Sequence, residues 1–178
     1  MTDINFSSAK PTPATGDDDA QLPAPVAHYD LIELLFFAYR DFISEPDEIL
    51  SGYAFGRAHH RVLHFVDRNP GLSVADLLDI LKITKQSLAR VLKQLVDQGY
   101  IEQRAGRRDR RQRLLHPTAQ GSRLARKLAG IQSQRISRAL EHMDAAGRAA
   151  ATDFLTRLIN DTERKQLLAI IREADKSG

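Results

Sequence analysis

The 178 residues are 42% hydrophobic and 28% charged, enough apolar content for one globular domain with a core. There is no cysteine, which excludes disulfides, thiolate metal sites and a thiol nucleophile. No apolar run approaches the roughly 18 residues of a membrane span, and no basic-then-apolar leader opens the chain, so the expectation is a cytoplasmic protein without a membrane partner. The formal net charge of +3 is small but unevenly spread: residues 28–83 carry −4, residues 84–113 carry +6 and residues 114–178 carry +4. A concentrated basic segment is the footprint of a polyanion binder, and a solvated arginine-rich loop is the other reading of the charge alone.

Residues 1–27 hold Pro11, Pro13, Pro23, Pro25 and an Asp17-Asp18-Asp19 run with few large apolar groups. They cannot bury enough surface to offset the entropy of ordering and read as a disordered tail, leaving 28–178 as a single domain. From Tyr29 to Ile43 the chain is apolar on nearly every side of a helix. Such a helix must be buried all round, which in a chain this short calls for a second subunit. Pro46 is expected to end it. A second helix is predicted from about Phe55 to Asp67, stopped by Asn69-Pro70-Gly71.

The next segment is more informative. Ser73 is a good N-cap, with Asp76 as its capping-box partner, and Val74, Leu77, Leu78 and Leu81 give a short helix one apolar face. Thr84 caps another helix, in which Leu88, Val91, Leu92 and Leu95 recur at helical spacing before Gly99. Its remaining face carries Lys85, Gln86, Ser87, Arg90 and Lys93. Two short helices joined by a tight turn, the second polar and basic, make a helix-turn-helix pattern. Tyr100–Arg104 alternates like a strand, and Arg113–His116 reads as a second strand cut off by Pro117, with Gly106–Arg111 as the tip between them. The fold class is therefore mainly α with a small β-wing. Thr118 then caps a long helix to about Met143, and a last helix is predicted from about Ala145 to Arg172.

With these elements in place the sequence resembles the MarR family of bacterial transcription regulators. The wing pattern Asp-x-Arg, a spaced leucine and Thr-x-x-Gly stands here as Asp109, Arg111, Leu115, Thr118 and Gly121. Pro117 departs from it, where an aliphatic residue is usual, and proline is tolerable at a strand edge before a capped helix. The resemblance covers about residues 30–172. It implies a homodimer built by helices at about 29–45 and 118–172 around a DNA-binding lobe at about 54–117, with a small-molecule effector in the crevice between them.

A recognition helix reads donor and acceptor patterns in the major groove, and its N-terminal side chains reach furthest. Lys85, Gln86, Ser87 and Arg90 are the base-edge candidates: Gln suits adenine, and Arg or Lys suits guanine. Lys93 is placed on phosphate, as are Thr84 and the amides at that helix start. Six arginines lie within residues 104–113. By resemblance, Arg111 enters the minor groove and Asp109 buttresses it; Arg107, Arg108 and Arg110 are then left to neutralise phosphates. An ordinary surface pair between Asp109 and Arg111 is the alternative role for those two.

His59, His60 and His64 share one predicted helix, the last two at metal-binding spacing, yet no carboxylate lies between them and HExxH is absent. Packing histidines are favoured over a zinc site, and neither a metal nor a cofactor is expected. Tyr39, Tyr53, Phe55, His59 and His60 are the candidates for an aromatic ligand pocket. Gly-rich phosphate loops and GxSxG elbows are missing, so an enzyme is not expected. The reading is a ligand-responsive regulator that binds a pseudo-palindromic operator on double-stranded DNA as a homodimer. The alternative is a winged-helix module for protein–protein contact, which would have no need of the basic wing.

Overall fold

A computed structural model describes residues 25–106 and 112–177. Its elements run α1 (Tyr29–Ser51), α2 (Arg57–Arg68), β1 (Leu72–Ser73), α3 (Val74–Leu81), α4 (Lys85–Asp97), β2 (Ile101–Ala105), β3 (Arg113–Pro117), α5 (Ala119–Leu140), α6 (Ala145–Leu158) and α7 (Asp161–Ser177). This is a winged helix-turn-helix with long helices before and after it. The predicted tail at 1–27 lies almost wholly outside the described residues. No helix among the described residues is long and apolar enough to cross a membrane.

One core serves the lobe. Leu63 and Val66 of α2, Leu77 and Leu81 of α3, and the α4 stripe Leu88, Val91, Leu92 and Leu95 are all buried together. Leu50 enters from α1, Ile101 and Leu115 from the sheet, and Leu124 and Leu128 from α5. The sheet is antiparallel in the order β1-β3-β2. Leu72 faces Leu115 across β1–β3, and β2–β3 pairs from Ile101 opposite Pro117 to Ala105 opposite Arg113. The two-residue β1 has no period to read in the sequence; pairing with β3 creates it.

Two helix boundaries differ from expectation. Pro46 does not end α1 but sits inside it, fully buried. A proline in a helix interior forfeits one hydrogen bond and crowds the carbonyl four residues back, at about 3 kcal/mol. The helix continues because Ile43, Pro46 and Leu50 form one inward stripe, all three buried. Arg135 of α5 also pairs with Glu45 beside the proline.

The predicted last helix is instead two, α6 and α7, with Ile159 in extended conformation between them. Asn160 offers its carbonyl to the amides of Glu163 and Arg164. The Arg164 guanidinium then donates to the carbonyls of Thr156, Arg157 and Ile159 at 2.9, 3.0 and 2.8 Å. Thr156 also accepts the Ile159 amide, so the guanidinium adds to a capped helix end and ties it to the start of α7.

The lobe joins α5 through a close backbone approach. Thr118 accepts from the Gly121 amide and donates to the Gly99 carbonyl at 2.6 Å. A Cβ on Gly121 would lie 2.0 Å from the Tyr100 carbonyl oxygen. Neither backbone can yield cheaply, so Gly121→Ala is expected to destabilise the protein by about 1–3 kcal/mol. Urea unfolding at fixed protein concentration measures this, and an unchanged midpoint would show that the junction is not tight.

Candidate nucleic-acid interface

The start of α4 is built by its cap. The Thr84 hydroxyl accepts from the Ser87 amide at 3.1 Å and donates to the Ser87 hydroxyl at 2.9 Å. The amides of Lys85 and Gln86 find no acceptor among the described residues and point out of the helix end, where they form a ready anion site. Thr84, Lys85, Gln86 and Arg90 are exposed and Ser87 is half-buried, while Leu88, Val91 and Leu92 turn inward. Lys85, Gln86 and Arg90 make no ion pair or side-chain hydrogen bond with any described residue. The surface is thus charged, donor-rich and uncommitted.

Lys93 differs from its neighbours. It pairs with Asp97 one turn on, both exposed, so its charge is already half-answered within α4. On the hairpin, Arg104 pairs with Glu102, whereas exposed Arg113 has no partner among the described residues. The Gly106 amide donates to the Gln112 carbonyl at 3.0 Å and closes the hairpin at its tip. The wing candidates Arg107, Arg108, Asp109, Arg110 and Arg111 lie outside the described residues.

The five proposed pocket residues separate into two groups. Tyr39 and His60 line a cleft of about 520 Å³ with Phe42 and Ile43 of α1, Arg57, Arg61, His64 and Phe65 of α2, and Gln132 of α5. Phe42, His64, Phe65 and Gln132 also line an adjoining cleft of about 630 Å³ that reaches Ile170, Ile171 and Ala174 of α7. Tyr53, Phe55 and His59 lie elsewhere. Phe55 stacks on His59 at 4.8 Å and meets Tyr100 edge-on at 5.1 Å, forming a cluster behind α4. Sequence reasoning missed the cleft's α2 wall, which the spacing of Arg57, Arg61 and His64 would have revealed as one helix face.

Among the described residues no three His, Asp or Glu side chains gather as a metal site. His60 is buried, and burial, followed by the nearby His64, lowers its pKa against an opposing pull from Asp47. Burial, followed by Arg68, lowers that of His64 against Asp67. Asp47 receives the Arg57 Nε–H at 2.8 Å on one oxygen, and its other oxygen is buried with no hydrogen-bond partner among the described residues.

A capped, exposed helix in front of an antiparallel hairpin defines this chain as a winged helix-turn-helix protein. The sequence profile of the MarR family matches residues 55–112. Over 123 residues the chain is 50% identical to the HTH-type transcriptional regulator PetP of Rhodobacter capsulatus, spanning 69% of this chain and 72% of that protein. This chain belongs to the MarR family. Solved structures share the fold. A putative MarR family regulator from Listeria monocytogenes, solved with a 26mer DNA, superposes with a TM-score of 0.64 at 20% identity, covering 79% of this chain and 93% of that one. FabT of Streptococcus pneumoniae, also solved with DNA, gives 0.64 at 19% identity over 80% and 97%.

The two cleft histidines carry a pH signature. Their folded pKa values are lowered, so as pH falls below about 6.5 the unfolded chain takes up protons first. Stability contributed above that pH is then lost toward the lower folded values. Melting midpoints at pH 7.5 and 5.5 should fall less in a His60→Gln/His64→Gln variant than in the wild type. Equal falls would show that these imidazoles are not linked to folding.

Proposed function

We propose that this chain regulates transcription by binding double-stranded DNA as a two-fold homodimer, with α4 in the major groove and the wing on the flanking minor groove. The observation that carries the reading is the uncommitted polar face of α4, where Lys85, Gln86 and Arg90 stand exposed beside free helix amides. Side chains that are neither buried nor paired cost little to turn toward base edges. Thr84 and Lys93 would sit at phosphates, Lys93 by giving up Asp97. Arg107, Arg108 and Arg110 would neutralise phosphate, with Arg111 in the minor groove braced by Asp109. No catalytic step belongs to this reading.

The dimer rests on apolar surface that one chain cannot cover. Every residue from 29 to 40 of α1 is exposed, including Leu34 and Phe36 at 61% and 68%, and no residue of α6 is buried. Patches of this extent mark an interface. The division into a lobe at about 54–117 and dimerisation helices at about 29–45 and 118–172 follows. A small-molecule effector fits the α1–α2–α5 cleft lined by Tyr39 and His60, because a ligand there would touch both the dimer helices and the lobe.

Phe36→Asp should yield aggregated or unfolded chain rather than a clean monomer, and a monodisperse monomer by light scattering would contradict the dimer. The two DNA-contacting parts should fail differently. Arg90→Ala removes a base-edge contact and is expected to cost about 1–3 kcal/mol on the operator, with little change on scrambled DNA. Arg108→Ala should weaken both DNAs alike and reduce the salt slope by about one. Titrations at several salt concentrations measure both. A flat salt dependence for the wild type would favour the protein–protein module, and equal losses on both DNAs for Arg90→Ala would remove α4 from the major groove.

A further inference from the structure

Gln94 departs from the charged face that precedes it. It is half-buried near the C-terminal end of α4, and its side chain leaves its own helix to reach the loop between α1 and α2. Its amide nitrogen donates to the Ala54 carbonyl at 3.2 Å, and its amide oxygen lies 2.8 Å from His59 Nε2. The other imidazole nitrogen settles the direction of that bond. His59 Nδ1 faces the Gly56 amide at 3.1 Å, and a backbone N–H can only donate, so Nδ1 is unprotonated and accepts. The proton is therefore on Nε2, which donates to Gln94. Every donor in the chain meets an acceptor: Gly56 to His59, His59 to Gln94, Gln94 to Ala54.

Ala54 has φ +54, the left-handed region that residues with a Cβ disfavour. The backbone is thus held in a disfavoured turn at the carbonyl Gln94 grips. Phe55 covers the imidazole face at 4.8 Å and excludes water from one side of the chain of bonds.

We propose that His59 and Gln94 are positioning residues for DNA discrimination: together with Ala54 they clamp the rotation of α4 about its own axis. The reason is angular. Gln94 lies four residues beyond Arg90 and seven beyond Ser87, about 40° and about 20° around the helix from them, on the same stripe. The apolar side of α4 packs through Leu88, Val91, Leu92 and Leu95, and such contacts are non-directional. The Gln94 bonds are directional and tie that stripe to the α1–α2 loop and the first turn of α2. A helix turned by even a fraction of a residue would swing Arg90 away from a bidentate base contact, while phosphate contacts tolerate the shift.

This inference rests on the DNA-binding reading. Its test compares wild type, Gln94→Met, His59→Asn and the double variant. Methionine keeps the length of glutamine without its hydrogen bonds. Asparagine retains an acceptor for the Gly56 amide but does not reach Gln94. Affinities are measured for a duplex selected by the wild-type protein and for a scrambled duplex at matched salt, beside melting midpoints and amide exchange in α4.

Each single variant is expected to lower the selected-to-scrambled affinity ratio about three- to tenfold, with scrambled-duplex affinity held within about twofold. The double variant should be no worse than the more damaging single one, because the two residues form one clamp. An unchanged ratio overturns the proposal, as does a parallel loss of both affinities with the melting midpoint, which marks a purely structural role. A wild-type protein that prefers no duplex defeats the DNA reading instead. Amide exchange then decides the clamp: faster exchange around Gln94 in both single variants supports it, and unchanged exchange overturns it.

Discussion

The apolar content of the first helix shapes what the rest of the chain has to do. Large side chains along residues 29–40 stand in water in the single chain, and each one buried fully would be worth about 1.5–3 kcal/mol. One turn later the same helix changes role: Ile43, Pro46 and Leu50 are buried, and Leu50 joins the lobe core. α1 therefore has an outer half whose burial a second copy would supply and an inner half buried within the chain, whose last turn joins the lobe core. The cleft lies where the two halves meet, with Tyr39 on the outer half and Ile43 on the inner. In the proposed dimer, a ligand there would touch the two parts whose relative orientation would set the spacing of the two α4 helices.

Within the lobe, packing and hydrogen bonds divide the work. The leucine stripe of α4 sets its depth, and the Thr84 cap sets where the helix begins and which amides face outward. Gln94 fixes its rotation. Tight contacts at Thr118 and Gly121 then carry the lobe into α5 without slack. Partly exposed ion pairs link the lobe to α7, Lys82 with Glu163 and Arg68 with Asp175. Such pairs contribute little individually, and α7 also buries Ala174.

Local chemistry made much of this legible from sequence. Ser73 with Asp76, Thr84 and Thr118 each cap the helix expected of them, because a short polar side chain before an apolar period has few other roles. The helix order and the hairpin could be read for the same reason. What escaped depends on partners distant in the chain. Pro46 looked like a terminator until its burial beside Ile43 and Leu50 and the Arg135–Glu45 pair were seen. The break at Ile159 depends on Arg164 folding back on three carbonyls, which no hydrophobic period encodes. His59 looked like a pocket residue because an aromatic neighbourhood suggests a ligand. Its partners prove to be Gly56 and Gln94, 35 residues apart from it in the latter case.

The most direct measurement is selection of bound duplexes from a random pool by the purified full chain, followed by hydroxyl-radical footprinting of the best binder. Two inverted half-sites are expected, their centres about one helical turn, roughly 34 Å, apart, with protection symmetric about the dyad. A single asymmetric footprint, or a pool that never converges on a sequence, would contradict the proposal that two copies of this chain read DNA through α4.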